Sequence, residues 1–412
     1  MRLFAKWIND SRAALKYIIL AGIFCMGYFI LQKLHHRSGV SNFEVYYEAA
    51  SRLFSSKEIY GISLDGGAGF YRYSPITIIL FAPFTLLPLG VSSALYYFLI
   101  LSSVIVFSLY IVYWLEKNIG LEAKNRGWLL VLVNLFLVDH IERELHLGNL
   151  NVFFHMMFFA VFIKLFQQKD SKAGIITGVI LLFQPAYALI LVWGILKSRF
   201  KYVLISLATV VVGLFIPILL YGPSTGWMLL QQWTDVYLHP GFDIASSPNT
   251  IYGIYNMWIL HPIGFESGKP LVLGILIVVF GLFYIIFQNN KTNPEKRQTF
   301  FIEFFMLIAL MPNLIHTDTE HFMWTWPILI YVFIQLQNSN LSKARWQIAL
   351  LVILFVPLVV NSPDIVGRQW MLIFDEGGLM GFANLVLIGL AYYIFRKKVD
   401  SNVQLEGNAS RL

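Results

Sequence analysis

The sequence predicts an all-α polytopic membrane protein, and three observations carry that prediction. Hydrophobic residues make up 58% of the chain and charged residues only 13%, against roughly 25% charged in a soluble domain, and mean hydropathy is +0.67. The apolar residues fall into long runs separated by short polar stretches. The basic residues sit in small groups between those runs, as the positive-inside rule expects. A net charge of +7 spread this way points to the lipid bilayer as partner and not to nucleic acid. The one cysteine, Cys25, lies in the first apolar run, which excludes a disulfide framework and a cysteine-based metal site.

Residues 1–14 are basic and amphipathic, carrying Arg2, Lys6 and Arg12, and are placed in the cytoplasm. The run 15–34 is the first span and reads as a retained anchor, because it lacks a small-residue cleavage site. Further helices are predicted over 91–115, 127–139, 151–168, 173–184, 186–197, 202–221, 270–288, 300–315, 322–337, 347–361 and 381–395. Together they give about 12 transmembrane helices, several shorter than the ~20 residues of a straight span, as is common around polar cavities.

The segment 75–88 is apolar but punctuated by Pro75, Pro83 and Pro88, so it either spans or dips in and returns. Loop charge decides for the second reading. The groups Lys117/Lys124/Arg126, Lys169/Lys172, Lys197/Arg199/Lys201, Lys291/Lys296/Arg297, Lys343/Arg345 and Arg396/Lys397/Lys398 then all face the cytoplasm, as do both chain ends and the tail 396–412. The outward loops are 35–90, 139–150, the tip at Gln184-Pro185, 222–269, 316–321 and 362–380, and they hold most of the 23 acidic residues. An extracytoplasmic cavity in a single integral-membrane domain follows, with interfacial helices in the 35–90 loop. No internal repeat is present.

Four constellations can carry chemistry. In 41–54, with Asn42 as N-cap, Phe43, Tyr46, Tyr47, Ala50, Leu53 and Phe54 share one helix face and Glu44, Glu48, Ser51 and Arg52 the other. This is either an active-site wall with a carboxylate as general base, or an interfacial helix whose carboxylates are solvated. The second runs from Asp139 through His140, Glu142, Arg143, Glu144 and His146 to Gly148-Asn149-Leu150-Asn151. There Arg143 and a following helix N-terminus suit an anionic headgroup, unless the charges are merely wet. The third is the turn around His316, Asp318, Glu320 and His321, where proton transfer or phosphate contact by histidine outranks metal binding, since the spacing is not that of a helical His pair. The fourth is 222–269, where Trp227, Trp233, Tyr237, Tyr252, Tyr255 and Trp258 stand near Asp235, His239, Asp243 and Asn249. That pattern suits an anchoring belt and sugar stacking alike.

Taken in order, these residues resemble glycosyltransferase family 87, membrane enzymes of the GT-C class that use polyprenyl-phosphate sugars. The resemblance rests on Asn42-Phe43-Glu44-Val45-Tyr46-Tyr47-Glu48-Ala49-Ala50, Tyr60, Tyr71-Arg72-Tyr73-Ser74-Pro75, Ala82-Pro83, Leu87-Pro88 and Gly148-Asn149-Leu150-Asn151. Asn249-Thr250-Ile251-Tyr252-Gly253 and His321 before Pro327 complete it. It implies a GT-C-like fold and transfer of a hexose, mannose first among them, from a polyprenyl-phosphate donor to a lipid or glycan acceptor outside the cytoplasm. Inversion at the anomeric carbon and no cofactor or obligatory metal follow from the same resemblance. It implies Glu44 or Glu48 as base, and Arg72, Arg143 and His321 as phosphate contacts, with His316 as a further substrate-binding residue. Asn42, Tyr46, Tyr73, Asn149 and Asn249 position substrates. Two departures stand out: the family usually has Asp at the Asn42 position and Lys at Gln184, and an amide is neither base nor cation. A flippase of lipid-linked glycans, or a silent relative that binds them, is the alternative.

Overall fold

The computed structural model describes residues 2–9, 11–34, 40–54, 58–64, 69–238, 247–264, 269–288, 296–315, 318–361 and 366–409. Regular structure among them is helical. In chain order the α-helices are α1 (Arg2–Asn9), α2 (Arg12–Leu34), α3 (Ser41–Phe54), α4 (Leu89–Asn118), α5 (Arg126–Phe136), α6 (Val138–Leu147), α7 (Asn151–Phe166), α8 (Asp170–Phe183) and α9 (Leu189–Leu196). There follow α10 (Phe200–Tyr221), α11 (Pro223–Leu238), α12 (Ile251–Tyr255), α13 (Lys269–Gln288), α14 (Lys296–Leu314), α15 (Trp326–Asn338), α16 (Leu341–Val359), α17 (Arg368–Glu376) and α18 (Leu379–Ala409).

Most helices lie where the apolar runs predict them. Three differences have identifiable causes. The run 322–337 splits at Pro327, which sits at the start of α15 behind a 3₁₀ segment, Thr319–Thr325. The stretch 139–150, expected as a loop, is mostly α6, because His140, Ile141, Glu144 and Leu145 make a buried stripe at helical spacing. The Pro-punctuated 75–88 forms two 3₁₀ helices, Pro75–Leu80 and Ala82–Leu86. At about 2.0 Å per residue neither approaches a ~30 Å bilayer core.

Among the described residues, three helices are long and apolar enough to cross a membrane: Leu89–Asn118, Phe200–Tyr221 and Leu379–Lys398. The pair α6 and α7 passes the same test jointly but bends by 114°, a broken span or a re-entrant element. The chain is thus a membrane-embedded helical protein.

The chain packs as two compact units. One comprises 22–105 and 142–242. Within it α8 packs closely against α10. Gly174 and Gly178 lie one turn apart; a Cβ on Gly174 would fall 2.8 Å from Ile205 Cβ, and one on Gly178 2.4 Å from Thr209 Cβ. Small residues at this spacing let helix backbones approach, the route by which helices associate where lipid removes the hydrophobic drive. The Thr177 and Tyr202 hydroxyls meet at 3.0 Å inside this contact.

The other unit comprises 1–21, 106–141 and 243–412. Its centre is α15, buried without interruption from Trp326 to Leu336. An amide network ties α14 to α18: Asn313 Nδ2 donates to the carbonyls of Asn249 and Gly381, both at 2.9 Å, and Asn384 Nδ2 donates to Asn313 Oδ1 at 2.7 Å. At its edge Arg126 grips Glu116 with Nε and Nη2 at 2.7 and 2.8 Å, and Trp7 Nε1 of α1 donates to the same carboxylate at 3.0 Å.

Candidate active site

The wall is α3, in the 22–105 and 142–242 unit. Its buried residues are Phe43, Val45, Tyr46, Ala49 and Ala50, while Glu44, Tyr47, Glu48 and Ser51 are half-exposed. The buried face shares Phe43, Tyr46 and Ala50 with the face expected from the sequence, but is rotated toward Val45 and Ala49 and leaves Tyr47 and Leu53 partly exposed. Asn42 is not the N-cap, as expected above. The helix begins at Ser41 with Val40 O accepting from Glu44 N at 2.9 Å, and the Asn42 side chain turns instead to Asn149, Nδ2 donating to Oδ1.

Aromatic contacts fix the buried face. Phe43 stacks on Tyr96 at 4.3 Å between centroids and meets Phe84 edge-on at 5.2 Å. Tyr46 packs on Phe81 at 4.7 Å, and its hydroxyl meets that of Tyr73 at 3.2 Å. Tyr60 O–H donates to the Tyr73 carbonyl at 2.7 Å, and the Tyr71 and Thr77 hydroxyls meet at 2.7 Å. Burial first, and then the neighbouring Tyr73, Tyr96 and Glu144, raise the Tyr46 hydroxyl well above the ordinary tyrosine value. Burial does the same for Tyr60 and Tyr71. These phenols are neutral hydrogen-bonding groups, not bases.

The opposite face carries the acids. Asn42 and Glu44 are two residues apart, about 200° round the helix, so closeness in sequence is separation in space. Glu48 accepts from Arg52 Nε at 2.9 Å. Arg72 and Arg143 are exposed; the Arg72 carbonyl accepts from Trp233 Nε1 at 3.1 Å.

Asn149 stands on the tight turn between α6 and α7. Gly148 there has φ +69°, and a Cβ on it would lie 2.1 Å from Val40 Cγ1, so only glycine lets the start of α3 reach the turn. Leu150 at the N-cap of α7 has no side-chain acceptor. Glu144 supplies one: its Oε1 accepts from Val152 N at 2.9 Å and its Oε2 from Asn151 Nδ2 at 3.0 Å. The helix N-terminus assigned above to an external headgroup is thus filled by the chain's own carboxylate. The reason is burial: Glu144 lies on the apolar stripe of α6, fully buried, while Arg143 points out.

In the other unit, Asn249 Oδ1 accepts from Gly381 N at 3.0 Å as part of the amide network. Thr250 caps α12 through Gly253 N, and a Cβ on Gly253 would lie 2.2 Å from Ser247 O. This accounts for the Asn-Thr-x-x-Gly pattern as packing. His321 Nδ1 lies 3.1 Å from Asp318 N and 3.3 Å from Asp318 O in a capping box. Ligand atoms of Asp318, Glu320 and His321 lie within 4.8 Å of one another. His316, His239 and Asp243 lie outside the described residues.

The chain is thus a membrane-embedded helical protein in which α3 sets an acidic face against an aromatic backing. That class becomes specific on comparison: the chain belongs to glycosyltransferase family 87, whose model matches residues 70–312. The match takes in Arg72, Tyr73, Arg143, Asn149 and Asn249, and begins after α3. No curated protein and no solved structure matches the chain.

Proposed function

We propose that this glycosyltransferase moves a hexose, mannose in the first instance, from a polyprenyl phosphate to a lipid-linked or glycan acceptor on the extracytoplasmic side. About 12 spans with both ends cytoplasmic would place α3 there. The observation that carries the assignment is the division of α3 into two faces. The inner one is clasped by Asn149, Tyr96 and Tyr73, and the outer one presents Glu44 and Glu48.

The step is an inverting displacement. The acceptor hydroxyl attacks the anomeric carbon as its proton passes to a carboxylate. The carbon–oxygen bond to phosphate breaks, and its electron pair leaves on the polyprenyl phosphate. The base is an acid of the outer face, Glu44 in the first instance and Glu48, which also accepts from Arg52 Nε, in the second. Arg72 and Arg143 serve the leaving phosphate, which needs no metal. Asn42 and Asn149 act as a clasp, consistent with an amide where the resemblance calls for an acid.

The test incubates membranes containing the chain with radiolabelled polyprenyl-phosphate mannose and extracted lipids. A glycosylated lipid is expected, lost by about 10²-fold or more in Glu44→Gln, the low end for removal of a general base. Full activity in Glu44→Gln refutes the base. Translocation of lipid-linked glycan without transfer favours the flippase reading.

A further inference from the structure

The one buried acid of the broken α6–α7 element is unused by that chemistry. Glu144 is fully buried at the 114° bend. A carboxylate buried this way costs free energy unless donors compensate it, so its presence calls for a role. Its surroundings say which. The backbone carbonyl of residue 144 accepts from Gly148 N at 3.0 Å and Asn149 N at 3.3 Å, and its carboxylate takes Asn151 and Val152. Every residue of the turn except Leu150 is therefore bonded to Glu144. The Tyr96 hydroxyl donates to the Asn149 carbonyl at 3.4 Å, and the Asn149 amide meets Asn42.

We infer that Glu144 is a positioning residue for sugar transfer: it fixes the Gly148–Asn151 turn, and through the Asn42–Asn149 clasp it sets the rotation of α3 that presents Glu44. The inference rests on the proposed function for its effect on rate, but not for its geometry. A neutral amide at 144 accepts from only one of the two donors and turns an N–H toward the other. The turn then loses its cap, and α3 its register.

The experiment measures geometry and rate separately in the full-length chain. Asn42→Cys and Asn149→Cys are introduced together over Cys25→Ser, and thiol crosslinking is followed in membranes without substrate. Glu144→Gln is expected to slow crosslinking by about fivefold or more, since bridging tolerates little displacement. Per folded protein, kcat should fall by about 10²-fold with the donor KM within about twofold, as small misplacements of a reacting group do. A role in stability alone lowers the folded yield and leaves both quantities native per folded molecule; that result overturns the inference.

The exchanged pair Glu144→Gln/Asn151→Asp restores both bonds, the new amide accepting from Val152 N and donating to the new carboxylate. It is expected to recover crosslinking and rate. It also carries the test if Glu144→Gln alone does not fold, in which case its own failure to crosslink refutes the assignment. Crosslinking that responds as stated in a chain without transferase activity would leave Glu144 as positioner and sink the sugar-transfer reading instead.

Discussion

Gly148→Ala isolates the physical condition on which the wall depends. Two costs arise, and the structure separates them. The first is conformational: at φ +69° an L-residue sits in the left-handed region, at about 1–2 kcal/mol. The second is steric: the new methyl would fall 2.1 Å from Val40 Cγ1 and 3.1 Å from Phe43 Cβ, and overpacking of this kind costs about 1–3 kcal/mol. The sum is a destabilisation of about 2–5 kcal/mol. Gly120 supplies the control, with φ +74° and nothing within 4 Å of an added Cβ, so Gly120→Ala bears the first cost alone, about 1–2 kcal/mol. Unfolding by graded SDS in mixed micelles, followed by far-ultraviolet circular dichroism, measures both. Val40→Ala removes the opposing methyl, and the double variant Val40→Ala/Gly148→Ala should show a favourable coupling of about 1–3 kcal/mol. Equal losses at Gly148 and Gly120, or strict additivity with Val40→Ala, would refute the close approach of α3 to the turn.

Three further outcomes are expected. In Asn42→Asp the Asn149 amide rotates to donate to the new carboxylate, keeping the clasp, and activity stays within about threefold; a rise of about 10-fold or more would make position 42 the base site, since a general base contributes at least that much. Glu116→Gln leaves Arg126 and Trp7 facing an N–H group. It should cost about 2 kcal/mol in the same SDS titration, less than a fully buried pair because the Arg126 side chain is 34% exposed, and no measurable change would count against the latch. As pH rises, Tyr46, Tyr60 and Tyr71 stop favouring the folded state, because burial keeps them protonated while the unfolded phenols ionise. Their contribution is complete below the unfolded tyrosine pKa near 10 and is lost as pH rises through their raised folded values. Absorbance at 295 nm should show these phenols ionising only as helicity is lost, and ionisation of all 21 tyrosines near pH 10 with helicity intact would contradict it.

The sequence disclosed what depends on local period and missed what depends on long reach. The amphipathic character of α3 and part of its buried face, Phe43, Tyr46 and Ala50, could be read from residue spacing because burial of a helix follows its own periodicity, and loop charge pointed to the absence of a straight span over 75–88 where the prolines alone left two readings. The clasp could not be read, since Asn42 and Asn149 are 107 residues apart and nothing local to either marks the other. For the same reason Glu44 looked like a substitute for an acid at position 42, when the helix carries the two side chains to opposite sides. Gly174 and Gly178 were legible in principle: two glycines four apart in an apolar run mark a helix contact in lipid.

So was Glu144. Five titratable neighbours surround it between Asp139 and His146, which invites a reading of the whole stretch as wet. Period divides them, because Glu144 shares its stripe with Ile141 and Leu145 whereas Glu142 and Arg143 fall outside it. A lone acid on the apolar side of an amphipathic helix must find donors inside the protein. The nearest are the N–H groups of a helix that begins across a glycine turn and has no cap of its own. The buried charge and the uncapped helix are each unfavourable alone and stable together, and that mutual need is what holds the bend beside α3.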